Sequence, residues 1–94
     1  MFRHIVLFRV HDEITDADLS DALSALRALG DDPGIIEWNV ALSLDTRKGR
    51  IIVEDATFVD AGAFESWRGG ADHGRVAGRM AQISDWWVGD IERS

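Results

Sequence analysis

The chain contains no cysteine and no tyrosine, and its only proline is Pro33. Without cysteine there is no disulfide, no thiolate nucleophile and no sulfur ligand for a metal. Without tyrosine there is no phenol to act as an acid or an orienting donor. Basic residues are also scarce: 10 Lys and Arg face 17 Asp and Glu, for a formal net charge of −7. Such a surface repels phosphate backbones and anionic bilayers, so nucleic acid and membrane are excluded as expected partners. The apolar run that follows Met1-Phe2-Arg3-His4 ends at Arg9. It is too short to span a bilayer and lacks a small-residue cleavage site, so it reads as structure and the protein as cytoplasmic. No phosphate-binding glycine loop occurs, and none of Ser20, Ser24, Ser43, Ser66 or Ser84 has the context of a nucleophile elbow.

What is present is a strong hydrophobic pattern on 94 residues, enough for a single domain spanning 1–94 with a modest core. From Phe2 to Val10 the residues alternate. Phe2, His4, Val6, Phe8 and Val10 share one face of a strand, and Arg3, Ile5, Leu7 and Arg9 share the other. Thr15, with Asp16 and Asp18 behind it, is a helix start. Leu19, Ala22, Leu23, Leu26 and Leu29 follow at helical spacing, with Gly30 as the stop. Ile35 to Leu44 predicts a second strand with Ile36, Trp38, Val40, Leu42 and Leu44 on one face. The polar segment Asp45–Gly49 is a hairpin loop, and a third strand runs from Ile51 to Val59. Asp60 caps a short helix carrying Phe64 and Trp67, broken by Gly69-Gly70. A further helix runs from about Asp72 to Gln82, and a final strand from Trp86 to Ile91.

The order is β-α-β-β-α-β, with the second helical segment split. This is an α+β, ferredoxin-like arrangement: a four-stranded antiparallel sheet with helices on one face. The second face, carrying Ile5, Leu7 and one of Trp86 and Trp87, is left bare, which predicts a two-fold homodimer through the sheet.

The opening Arg3-His4-Ile5-Val6-Leu7-Phe8-Arg9-Val10 with Asp12-Glu13-Ile14-Thr15, the run from Phe64 through Trp67 to His73, and the closing strand with Trp87 and Asp90 together resemble the stress-responsive dimeric α/β-barrel family. The resemblance covers nearly the whole chain. It implies two ferredoxin-like subunits paired into a barrel, each with a pocket between its own sheet and helices. It also implies similarity to a plant polyketide cyclase that closes a ring by aldol condensation. His73 matches that enzyme's histidine at the entry to the last helix, and His4 a second pocket histidine. Trp67 and Leu26 stand where the cyclase has tyrosines, and Gly70 where it has another histidine.

His73 is the first catalytic candidate, as a neutral imidazole base beside free helix N–H groups, with Asp72 placed to cap that helix. A loop histidine that only packs or caps is the competing reading. His4, flanked by Phe2, Val6 and Phe8, is the second candidate, to orient a ligand or His73, against a satisfied core histidine. Val6, Phe8, Leu26, Trp67, Val76, Trp86 and Val88 are expected to line a pocket for a small apolar or aromatic ligand, with Trp87 pointing away. Glu54 and Asp55 fall on opposite strand faces and cannot work as a pair. His4, His73 and Asp72 match no metal-ligand spacing, so neither metal nor cofactor is expected. Two functions follow: a cofactor-free cyclase, lyase or isomerase acting next to a carbonyl, or a non-catalytic ligand-binding or stress-related assembly protein.

Overall fold

The computed structural model describes residues 1–93. The elements run β1 (Phe2–Val10), α1 (Asp16–Ala28), β2 (Ile35–Leu42), β3 (Ile51–Phe58), α2 (Ala61–Arg68), α3 (Ala71–Ile83) and β4 (Ser84–Glu92). They form one sheet in the order β2-β3-β1-β4 with every pairing antiparallel. The fold is the ferredoxin-like one read from the sequence.

Period-two patterning decides which way the sheet faces. Along β3, Ile52, Glu54, Ala56 and Phe58 are buried while Ile51, Val53, Asp55 and Thr57 are half-buried. The buried set lies beside His4, Val6 and Phe8 of β1 and carries the helices. Leu19, Ala22 and Leu26 of α1, Phe64 and Trp67 of α2, and Val76 and Met80 of α3 complete the core on that side. Thr15 accepts from the Asp18 N–H and Asp60 from the Ala63 N–H, so both predicted side-chain caps form. The other face of the sheet carries the Arg3–Asp55 ion pair at 2.7 Å and leaves Leu7 and Trp87 exposed.

Three details differ from the sequence reading. Strand β2 ends at Leu42, and Leu44 is fully exposed in the hairpin loop. A bulge between Ile35 and Glu37 turns Ile36 out of the helix-side face, so Ile35, not Ile36, packs on the core with Trp38. Gly30 does not have a positive φ; it is required because a Cβ there would overlap Cδ1 and Cγ of the Trp38 indole. The hairpin glycine, Gly49, does take the left-handed conformation, at φ 94°. None of the described helices is long and apolar enough to cross a membrane.

Candidate active site

A cavity of about 280 Å³ opens between the sheet and the helices. Its floor is built by alternation. From β1 come His4, Val6 and Phe8, from β3 Glu54, and from β4 Trp86, Val88 and Asp90. The register explains the grouping: His4 faces Asp90, Val6 faces both Glu54 and Val88, and Phe8 faces Trp86. Its roof comes from Leu26 of α1 and Leu29 at its C-terminal end, Phe64 and Arg68 of α2, and His73, Val76, Ala77 and Met80 of α3. Because β4 is the edge strand, Trp86 and Val88 line the cavity and still remain half exposed.

His4 is the buried polar centre of the floor. Its Nδ1 donates to Asp90 Oδ1 at 2.6 Å, and its Nε2 lies 3.4 Å from Glu54 Oε2. The Asp90 contact has the length of a strong charge-assisted hydrogen bond, and the Glu54 contact is looser. Burial works against the charged imidazole, but the hydrogen bonds and negative charges of Glu54 and Asp90 outweigh it, so the His4 pKa is raised above the ordinary 6.5. The ring is packed against Phe64 and Trp67, with centroids 4.8 and 5.8 Å away.

His73 lies in the first turn of α3, third in the helix, rather than in the loop before it. The helix has Gly70 as its N-cap, with no side-chain cap. Asp72 therefore does not cap it and instead pairs with Arg75 at 3.0 Å. The His73 ring meets Trp67 edge-on with centroids 4.5 Å apart. Its pKa is lowered from 6.5, first by burial and then by the positive charges of His4 and Arg68, with Glu54 opposing. The largest cause is thus desolvation, where sequence reasoning assigned the shift to the helix end.

The cavity therefore brings together His4, His73, Val6, Phe8, Leu26, Val76, Trp86 and Val88 of the expected set. Trp67 is not in its lining. It is buried behind His4 and His73, with Nε1 donating to the Leu29 carbonyl at 3.1 Å. Trp87, opposite Leu7, points to the other side of the sheet. Sequence reasoning missed Glu54 and Arg68, and left Asp90 without a role. Glu54 carried a readable signal: an acid on the same strand face as Ile52, Ala56 and Phe58 must find a buried partner. Asp90 and Arg68 carried none, since only the β1–β4 register and the α2–α3 break bring them to the cavity.

The cavity thus holds two histidines whose proton affinities are shifted in opposite directions.

Solved structures share the fold at low identity. A dimeric ferredoxin-like protein of unknown function from Thermobifida fusca matches with a TM-score of 0.85 at 20% identity, over 96% of this chain and 88% of that one. A cofactor-independent oxygenase from Streptomyces nogalater matches at 0.81 and 16%, over 98% and 91%. A hydroxynitrile lyase from Passiflora edulis matches at 0.81 and 17%, over 99% and 94%. No curated protein matches the chain. The model of the stress responsive A/B barrel domain matches residues 2–92, and the chain belongs to that family.

Proposed function

We propose that the protein is a cofactor-free enzyme that abstracts a proton next to a carbonyl of a small, largely apolar substrate, in a cyclisation, isomerisation or lyase step. The observation that carries this reading is the opposed bias of His4 and His73 across a single cavity. The neutral His73 takes the proton. As the C–H bond breaks, its electron pair moves onto the carbonyl and leaves an enolate oxygen. Cationic His4 stabilises that oxygen. Asp90 holds the imidazole through Nδ1, and the looser contact at Nε2 leaves that N–H to turn to the enolate. The apolar walls strengthen these charge interactions by excluding water. A volume of about 280 Å³ lies at the small end of ligand pockets, which run from about 300 to 1,000 Å³, so the substrate is compact. That an oxygenase without a cofactor and a hydroxynitrile lyase occur on this fold supports base-driven chemistry in such a space.

The working unit we infer is a homodimer, paired through the sheet face that exposes Leu7 and Trp87. The dimeric Thermobifida fusca neighbour supports this.

The test is proton exchange. Small aryl ketones are incubated with the protein in D₂O and loss of the α-proton signal is followed by NMR. Exchange above the buffer rate that disappears in His73→Ala supports the reading. Equal exchange with His73→Ala removes His73 as the base, and no exchange on any ketone that binds in the cavity removes the proton-abstraction reading.

A further inference from the structure

Arg68 stands apart from most other arginines of the chain. Arg3, Arg9, Arg47, Arg50, Arg75 and Arg79 each lie within 4 Å of a carboxylate, and Arg27 donates to the Val40 carbonyl. Among the described residues Arg68 makes no ion pair and no side-chain hydrogen bond, although acids outnumber bases 17 to 10. Among the described residues it is also the only arginine in the lining of the cavity.

Its position suits a ligand better than it suits the fold. Arg68 ends α2, two glycines precede α3, and His73 occupies the first turn of α3. The break brings a guanidinium and the His73 imidazole to the same rim. The positive charge of Arg68 is felt at the His73 ring. The remaining charges, Glu54, Asp90 and His4, sit together on the floor and satisfy one another, and Glu54 and His4 are buried there. The rest of the lining is largely apolar, with Val6 and Phe8 on the floor and Leu26, Val76 and Met80 in the roof. Arg68 is itself exposed, and a neutral ligand would leave its guanidinium to water. An anionic ligand meets, in Arg68, the cation of the lining that is unpaired among the described residues, beside the base, while its apolar body fills the rest of the cavity. The chain as a whole repels anions, so that selectivity has to come from a local cation.

We propose that Arg68 is a specificity-determining residue that anchors a carboxylate on the substrate, so that the enzyme acts on a keto acid with an apolar or aromatic body rather than on a neutral ketone. The guanidinium matches a carboxylate in a two-point, planar fork. With the carboxylate there, the carbonyl and its acidic neighbouring carbon lie next to His73. The substrate class rests on the base reading given above, but the anchor can be measured without it.

The probe pair is phenylpyruvate and phenylacetone, which differ by a carboxylate in place of a methyl group. Binding to the intact protein and to Arg68→Met and Arg68→Lys is followed by calorimetry, and α-proton exchange by NMR in D₂O. Phenylpyruvate is expected to bind at least about tenfold more tightly than phenylacetone. The preference is expected to vanish in Arg68→Met and return in part in Arg68→Lys, with phenylacetone binding unchanged in both. An equal affinity for the two probes, an anion preference that survives in Arg68→Met, or failure of phenylpyruvate to bind at millimolar concentration overturns the anchor. An Arg68-dependent preference with no His73-dependent exchange leaves the anchor standing and overturns the base reading instead. Exchange of both probes at equal affinity does the reverse.

Discussion

Replacing His4 with phenylalanine tests whether the buried floor is held by a charge triad or merely by packing. Phe keeps a flat ring of similar size against Phe64 and Trp67, whose centroids lie 4.8 and 5.8 Å from the imidazole. What is lost is the cation between two carboxylates. Asp90 has a side chain 35% exposed and can be rehydrated, so its share is about 0–1 kcal/mol. Glu54 has a side chain only 4% exposed and cannot. Stranding one partner of a buried pair costs about 3–5 kcal/mol, against a total stability of about 5–15 kcal/mol for a domain. His4→Phe is therefore expected to lose about 3–5 kcal/mol in urea unfolding at fixed protein concentration, most of it through Glu54. The double variant His4→Phe/Glu54→Leu, which replaces the pair by apolar groups, should recover the larger part of that loss. The pH dependence supplies an independent readout. In the native protein the folded His4 pKa is raised, so its contribution is complete below 6.5 and is lost as pH rises through the folded value. That alkaline loss should be absent from both variants. A single variant within about 1 kcal/mol of the native protein, or a double variant no more stable than the single, would refute the triad.

Further expectations follow from the same geometry. The proposed mechanism requires His73 neutral and His4 cationic, so on that reading the rate should rise with pH through a value below 6.5 and fall again through one above it. A profile with a single limb would show that only one of the two histidines matters. Gly30→Ala should cost about 1–3 kcal/mol in thermal or urea unfolding, because the added methyl meets the Trp38 indole; Gly78→Ala, with open space around it and a helical setting, should cost nothing and is the control. Trp87→Glu, on the outer sheet face, should shift sedimentation from dimer to monomer while leaving far-UV circular dichroism intact, and an unchanged sedimentation coefficient would place any interface elsewhere.

The local chemistry of the chain determined most of the architecture. Alternation in Phe2–Val10 and Ile51–Phe58, the caps at Thr15 and Asp60, and the Gly69-Gly70 break are all near-neighbour signals, and each element they announce is present. Alternation also settled that Trp86 and Trp87 diverge, since adjacent strand residues cannot face the same way. Tertiary structure decided what no local signal carries. The bulge at Ile35/Glu37 exchanged Ile36 for Ile35 in the core, because pairing with β3, not hydropathy, sets where a strand slips. Gly30 proved to be a packing requirement imposed by Trp38 from another element. Trp67 went behind the cavity because its indole N–H needed the Leu29 carbonyl. The candidate site followed the same division. His4 and His73 were legible as residues, but their opposed proton affinities arise from Glu54, Asp90, Arg68 and burial, all of which depend on groups brought close from distant parts of the chain. Electrostatic energy is set by distance and solvent exclusion, and a sequence specifies neither until it is folded.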